Sequence, residues 1–181
     1  MAYEFDIRIE DIVAFVEFNV EIPLEKITGR DVSVPGIIYK IKEPNAAVLI
    51  SRNGKISCTG VKNMGDAMTV LRKAVDKVGN SGISLGGDIE MKVKSITAVA
   101  RLSREFKLEE ISYALDKCEY DPKKIHGLIY KITNPQVTMV LYRSGKVLCT
   151  HAKSIEDIQK GLSKLESDLK SVGFPVMPMM V

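Results

Sequence analysis

One segment of 28 residues occurs twice in this chain and constrains its fold more than any other feature. The first copy, 35–62, reads PGIIYKIKEPNAAVLISRNGKISCTGVK, and the second, 126–153, reads HGLIYKITNPQVTMVLYRSGKVLCTHAK. The copies align without a gap at a displacement of 91 positions, and 12 of the 28 aligned positions are identical. A solenoid needs three or more stacked repeats. Two copies therefore predict a duplicated half-domain with a pseudo-twofold axis.

Each half of the chain is predicted to run β-α-β-β-β-α, with the short helices at 23–28 and 107–117. The first strand of the second half repeats that of the first half at a displacement of 84, so the second half carries an insertion before its second strand. Asn53-Gly54 and Ser144-Gly145 are typical of hairpin turns. Asn63 and Ser154 are predicted N-caps of the long helices. The predicted strands are 7–18, 34–42, 46–52 and 55–61 in the first half and 89–102, 127–132, 137–142 and 146–152 in the second.

The long helices carry apolar stripes at spacings of three and four residues, which indicate one buried face each. The stripes are Ala67, Val70, Leu71, Ala74 and Val78 in the first half and Ile155, Ile158, Leu162, Leu165 and Leu169 in the second. We therefore expect an α+β fold, with one long antiparallel sheet and helices on one of its faces. The expected halves are 1–88 and 89–181, and the proline-containing tail 174–181 is at most an edge strand.

Composition places few limits on function. The 181 residues carry a net charge of +3, which is mildly basic and compatible with a polyanionic partner. No apolar run approaches the roughly 20 residues of a membrane span, and the acidic N-terminus predicts no signal peptide. The three cysteines form no CxxC or Cys/His cluster, so neither zinc nor another cofactor is expected, and Cys58 and Cys149 are predicted to be small buried hydrophobes.

An enzyme is not expected. His126 and His151 are the only histidines, and neither a nucleophile elbow nor a carboxylate pair accompanies them. Cysteines without a disulfide pattern are typical of a cytosolic protein.

The sheet face opposite the helices is unusual in composition, because small apolar and hydroxyl residues replace the charges of a solvated face. Such a face implies a partner, although a further element or a second copy of the chain could also cover it. Its predicted residues are Asp11, Val13, Leu49, Ser51, Ser57 and Thr59 in the first half and Ser95, Thr97, Val140, Tyr142, Leu148 and Thr150 in the second. Paired cations border it, namely Lys40/Lys131, Arg52/Arg143, Lys55/Lys146 and Lys62/Lys153. An apolar face rimmed by lysines fits the minor groove of DNA.

Several segments of the chain resemble the TATA-box-binding protein family, archaeal type. They are the repeated stretches PGIIYKI and HGLIYKI, the GK turns, the ends CTGVK and CTHAK, and Glu119-Tyr120-Asp121-Pro122. The resemblance covers nearly the whole chain. It implies a two-repeat saddle whose concave sheet binds the minor groove. It also implies that the outer helices at 63–78 and 154–171 meet other transcription proteins.

The resemblance further assigns roles to individual residues. The family's four wedge phenylalanines correspond to Val34, Ser51, Ile125 and Tyr142, so only Tyr142 stays aromatic. The two asparagines that read the central base pairs correspond to Asp11 and Ser95. Contact with a B-type transcription factor would involve Tyr120, Asp121 and Lys123, the last standing where the family usually has an acid. The implied phosphate contacts are Lys40, Lys55, Lys62, Lys131, Lys146 and Lys153.

Two functions remain open at this point. In the first, the chain is a divergent paralogue that binds double-stranded DNA weakly or with altered preference in transcription initiation, associated with a prokaryotic nucleoid in the cytoplasm. In the second, the same fold has lost DNA binding and regulates transcription by binding protein. An apolar concave face also makes a homodimer through that face plausible.

Overall fold

The computed structural model describes residues 5–176. Residues 1–4 and 177–181 lie outside the described part. The expected absence of a signal peptide and the predicted C-terminal edge strand depend partly on these residues. The chain folds into two compact units. Within the described residues, one is Glu10–Lys94, and the other comprises residues 5–9 and 95–176.

The first half contains a four-stranded antiparallel sheet in the order β2-β3-β4-β1. The short helix α1 ends at Gly29, whose φ of 73° is a left-handed C-cap that glycine adopts without steric cost. The long helix α2 begins after Asn63, whose side chain accepts a hydrogen bond from the Asp66 N–H at 2.8 Å, as predicted for an N-cap. The elements are β1 (Ile7–Glu17), α1 (Leu24–Thr28), β2 (Gly36–Lys42), β3 (Asn45–Ser51), β4 (Lys55–Val61) and α2 (Met64–Asn80).

Helix α2 packs on β3 and β4 and covers one face of this sheet. All five residues of its predicted stripe are buried. They face strand residues of the same side, including Val48, Ile50, Ile56 and Cys58, which are at most 1% exposed. The core of this half is therefore the layer between α2 and the sheet, and Cys58 is a small buried hydrophobe as expected.

The second half has the same plan with one strand more, in the order β5-β9-β8-β7-β6. Helix α4 packs on β8 and β9, and Ser154 caps it by accepting the Asp157 N–H at 3.1 Å. Cys149 lies in the layer below it and is fully buried, and this burial raises the pKa of its thiol to about 12. The elements are β5 (Lys92–Arg101), α3 (Leu108–Ala114), β6 (Cys118–Glu119), β7 (Gly127–Thr133), β8 (Gln136–Tyr142), β9 (Lys146–Ala152) and α4 (Ile155–Ser171).

Three predictions about elements were wrong in detail. Ile155 is 41% exposed rather than part of the buried stripe, because it lies on the first turn of α4 on the solvent side, and Gly161 is buried in the stripe instead. Helix α3 is shorter than the predicted 107–117, since Leu115 takes an extended conformation. Strand β5 begins at Lys92 rather than at Ile89. No helix within residues 5–176 is long and apolar enough to cross a membrane.

Candidate nucleic-acid interface

The face of the first sheet that α2 leaves uncovered carries the predicted residues. The register places Ile38, Leu49, Ser57 and Phe15 side by side on four neighbouring strands. Leu49 is 39% exposed, whereas its chain neighbours Val48 and Ile50 are completely buried beneath α2. We name as the N-terminal open face the set Asp11, Val13, Phe15, Ile38, Ala47, Leu49, Ser51, Ser57 and Thr59, all of which are partly or largely exposed.

The second half repeats this arrangement. Strand pairing places Ile129, Val140, Leu148 and Val99 side by side, and Thr138 pairs with Thr150 one step further along the strands. These side chains are half-buried, while Met139 and Leu141 on the opposite face of β8 are completely buried. The C-terminal open face is Ser95, Thr97, Val99, Ile129, Thr138, Val140, Tyr142, Leu148 and Thr150.

Both faces include residues that the sequence analysis missed. Phe15, Ile38, Ala47, Val99, Ile129 and Thr138 lie among the predicted residues. Strand alternation in the sequence already puts Phe15 on the face of Asp11 and Val13, but the predicted interface left it out. The repeat likewise aligns Ile38 with Ile129.

A β-bulge in β4 fixes the position of Asp11. Ile12 pairs with Val61 and Ala14 with Cys58, so Thr59 and Gly60 together oppose one residue of β1. The Asp11 carboxylate bridges both bulge residues, accepting the Gly60 N–H at 2.6 Å and the Thr59 hydroxyl at 2.9 Å. Gly60 has a φ of 96°, the left-handed conformation of such bulges. Asp11 is therefore a fixed acceptor on the β1 side of the N-terminal open face.

The corresponding bulge in β9 has different chemistry. Thr150 and His151 oppose one residue of β5, and His151 takes the left-handed position with a φ of 65°. The Thr150 hydroxyl lies 3.0 Å from His151 Nδ1 and 3.4 Å from the carbonyl oxygen of Thr138. Ser95 stands at the repeat position of Asp11, so this half presents a hydroxyl in place of the carboxylate.

The four wedge positions lie at the ends of the strands. Val34 precedes β2 and is 53% exposed, and Ile125 precedes β7 and is 41% exposed. Ser51 and Tyr142 end β3 and β8 and are half-buried. The Tyr142 ring packs on Gly127, where an added Cβ would lie 3.4 Å from the ring and 2.4 Å from Val140 Cγ1. The glycine shared by both repeats thus leaves space for side chains of the open face.

Five of the six predicted phosphate lysines are exposed: Lys40, Lys62, Lys131, Lys146 and Lys153. Lys55 is half-buried, with its ammonium 4.3 Å from the centre of the Phe15 ring. Lys146 lies in the same way over Tyr142, at 5.5 Å. The apolar rings therefore hold one cation at the border of each open face.

The two arginines that the sequence placed among the bordering cations are engaged elsewhere. Arg52 forms a bidentate pair with Glu25 of α1, with N–O distances of 2.9 and 3.0 Å, and also donates to the Val32 carbonyl at 2.8 Å. This guanidinium lowers the pKa of Glu25 to about 2. Arg143 binds Glu109 of α3 through one nitrogen only and donates to the Tyr120 hydroxyl at 3.2 Å. Both arginines hold a short helix to the sheet, so their charges are already paired with glutamates.

The predicted partner-contact residues lie on the loop before β7. Asp121 and Lys123 are exposed, and the Lys123 N–H donates to the Asp121 carboxylate at 3.0 Å. The Tyr120 hydroxyl is bound to Glu109 at 3.1 Å and to Arg143 at 3.2 Å. Tyr120 therefore belongs to the cluster that holds α3, and the exposed pair is Asp121 and Lys123. In residues 5–176, no three His, Cys, Asp or Glu side chains are grouped to hold a metal ion.

Comparison with known proteins agrees with this geometry. The family model "Transcription factor TFIID (or TATA-binding protein, TBP)" matches the chain twice, over residues 6–80 and 90–172. The chain is 35% identical over 173 residues to the TATA-box-binding protein of Methanothermobacter thermautotrophicus, covering 92% of this chain and 96% of that protein. The corresponding protein of Pyrobaculum islandicum is 37% identical over 173 residues, covering 92% and 87%.

A solved structure shows the same fold. The Methanococcus jannaschii TATA-binding protein superposes with a TM-score of 0.84 at 30% identity, covering 91% of this chain and 98% of that one. This similarity confirms the predicted α+β fold class with two repeats. With the doubled family match and relatives of this identity, the chain belongs to the TATA-binding protein family.

Proposed function

We propose that this protein is a divergent TATA-box-binding protein paralogue that binds the minor groove of double-stranded DNA in transcription initiation. The observation that carries the proposal is the pair of open faces. Each presents small apolar and hydroxyl side chains between exposed lysines, at equivalent positions of two repeats. Apolar and hydroxyl groups suit sugars and base edges, while the lysines neutralise phosphates.

Altered DNA preference follows from the wedge and base-reading positions. Proteins that kink DNA insert apolar side chains between base steps, and unstacking a step costs a few kcal/mol. Val34, Ile125 and Tyr142 supply three apolar wedges, but the hydroxyl of Ser51 fills such a gap poorly. Asp11 adds a carboxylate to a face that meets hydrogen-bond acceptors in A·T sequences. Both changes lower the affinity for a bent A·T site.

The proposed partners are transcription proteins. The loop with Asp121 and Lys123 is the proposed contact for a B-type transcription factor, and its charge differs from the usual acidic one through Lys123. The outer, exposed sides of α2 and α4 are the proposed contacts for other transcription proteins. The site of action is the nucleoid in a prokaryotic cytoplasm.

Binding measured as a function of salt tests the proposal. Fluorescence anisotropy with a TATA duplex and a random duplex should show affinity falling steeply as salt rises. Six phosphate contacts give a slope of log K against log[salt] of about −5. Replacing Lys40 and Lys131 by Gln should reduce the slope by about two and weaken binding to both duplexes. Lys160 and Lys170, exposed on α4, are the matched control, and their replacement by Gln should leave the slope unchanged.

A second function has one observation in its favour, the combination of Ser51 and Asp11 where a DNA-bending face needs a wedge and a donor. In this alternative the open faces bind protein and regulate transcription without DNA. Absence of salt-dependent binding to both duplexes would select it. Sedimentation of the free protein would then test whether the partner is a second copy, since a homodimer through the open faces should persist when either duplex is added.

A further inference from the structure

We propose that Asp11 makes the N-terminal open face select a base pair that carries an amino group in the minor groove, as a G·C pair does. The inference rests on the proposed function and names the sequence preference of one half of that interface. It follows from three observations: the position of Asp11, the donors that it occupies, and the residue at its repeat position.

Asp11 is positioned as a rigid acceptor. It lies within β1, between Ile9 and Val13 on the open side of the strand, and is half-exposed. Its two oxygens are held by different donors, Oδ1 by the Gly60 N–H at 2.6 Å and Oδ2 by the Thr59 hydroxyl at 2.9 Å. A carboxylate has about four lone-pair sites, so two remain for a ligand. The depression beside it is lined by Glu10, Lys40, Thr59 and the small Ala47, among others.

The minor groove gives this acceptor one complementary partner. A·T and T·A pairs present only the acceptors N3 and O2 there, whereas a G·C pair adds the N2 amino donor of guanine. Asp11 repels the A·T acceptors, and it also occupies the Thr59 hydroxyl that could otherwise donate to them. A guanine amino group, in contrast, can donate a hydrogen bond to an Asp11 oxygen whose direction is already fixed.

The preference is confined to one half of the interface. Ser95 stands at the repeat position of Asp11, and its hydroxyl can donate to N3 or O2. The other acids of β1 are Glu10, which adds a second carboxylate beside the same depression, and Glu17, which stands at the end of the strand opposite Lys55. An amino group is therefore favoured on the duplex half that Asp11 contacts and not at the symmetric position. This asymmetry fixes the orientation of the protein on DNA.

Modified bases isolate the amino group. 2,6-Diaminopurine in place of adenine adds an N2 amino group to an A·T site, and inosine in place of guanine removes it. A set of labelled duplexes carries one diaminopurine at each adenine in turn, and anisotropy gives each affinity at fixed salt. We expect diaminopurine at one position to raise the affinity about tenfold, the typical effect of one recognised base pair. A G·C pair there should do the same, and an inosine·C pair should not.

Two variants assign the effect to the side chain. Asp11→Asn keeps the bulge, because its oxygen can accept the Gly60 N–H and its amide can donate to Thr59. It should remove the diaminopurine gain and raise affinity for the unmodified A·T duplex. Ser95→Asp should create a second favoured position at the symmetric step. Comparing wild type with each variant on the same duplexes cancels the effect of diaminopurine on DNA stiffness.

The outcomes separate the two proposals. Binding of all duplexes with no position favoured by the amino group, or with a gain that persists in Asp11→Asn, overturns the inference and leaves the proposed function standing. No salt-dependent binding to any duplex overturns both. A melting temperature measured for each variant shows whether that variant is folded. If Asp11→Asn is not folded, Ser95→Asp supplies an independent test of the inference.

Discussion

Tyr39 and Tyr130 occupy the same repeat position but differ in what their hydroxyls contact. The Tyr39 hydroxyl is buried with no hydrogen-bond partner in the described part of the chain, and burial raises its pKa to about 12. Lys77 lies 4.7 Å from the centre of the Tyr39 ring. The repeat position of Lys77 is Asp168, which accepts a hydrogen bond from Tyr130. The sequence aligned the two tyrosines but could not reveal this difference, which depends on a residue 38 positions further along the chain.

The same substitution should therefore have different effects in the two halves. Tyr39→Phe removes an unpaired buried hydroxyl and should leave the free energy of unfolding unchanged or raise it by up to about 1 kcal/mol. Tyr130→Phe removes a donor from the Asp168 carboxylate and should lower it by about 1–2 kcal/mol. Urea denaturation of both variants measures the difference. Equal losses would contradict the assigned environments.

Position 151 should tolerate replacement of the histidine by glycine better than replacement by a β-branched residue. Its φ of 65° is left-handed, a conformation in which a branched side chain is a steric outlier. His151→Val should lower the free energy of unfolding by about 1–2 kcal/mol. His151→Gly, which reproduces the residue of the first bulge, should not lower it to that extent. Both variants remove the contact between His151 and Thr150. If both lower the free energy of unfolding by the same amount, the effect comes from that contact and not from the backbone conformation.

At the scale of elements, α1 depends on its attachment to the sheet. It spans only five residues, which is too short to be stable alone, and Glu25 binds it to Arg52 at the end of β3. Glu109 and Arg143 do the same for α3. Neither ion pair was predictable from the sequence, because Glu25 and Arg52 lie 27 positions apart and Glu109 and Arg143 lie 34 positions apart.

Stability should therefore fall in acid through Glu25. Its pKa is about 2 in the folded protein because Arg52 donates to it, below an ordinary value of 4.5. A carboxyl whose folded pKa is depressed stabilises the fold above its unfolded pKa. That stability is lost as the pH falls from about 4.5 to 2. The urea midpoint should drop across this window and drop less in Glu25→Gln. Identical pH profiles for the two proteins would show that the ion pair has no role.

The predictability of the elements depended on their length and repetition. The buried stripe of α2 was predicted in full, because five apolar residues at helical spacing outweigh local ambiguity. Strand β6 was missed, because its two residues are defined by pairing with Ile129 and Tyr130 and not by a pattern of their own. The bulges were missed for a related reason, since Thr59-Gly60 also resembles the end of an ordinary strand.

For the molecule as a whole, duplication made the open faces predictable. Strand alternation assigned each side chain to one of two faces, and the second repeat confirmed the assignment independently. Duplication did not predict which bordering cations are available to bind phosphate. Arg52 and Arg143 share the repeat spacing of the lysines, but they bind glutamates of the short helices. The hydrogen bonds from Thr59 and Gly60 to the Asp11 carboxylate were likewise not predictable from the sequence.

If the open faces bind and kink DNA, restoring the missing wedges should increase the bend. Ser51→Phe combined with Ile125→Phe places an aromatic ring at one wedge position of each half. A larger ring fills the opened base step better and offsets more of the unstacking cost, a few kcal/mol per step. Energy transfer between dyes at the two ends of a TATA duplex should rise on binding of this variant, and dissociation should slow.

A matched pair on the helix side gives the control for this prediction. Ser163 and Ile155 are exposed on α4, so Ser163→Phe with Ile155→Phe makes the same chemical change away from both open faces. That variant should bend the duplex as the wild type does. Equal energy transfer for all three proteins, at concentrations that saturate the duplex, would show that positions 51 and 125 do not enter base steps. The open faces would then contact DNA, if at all, without wedging it.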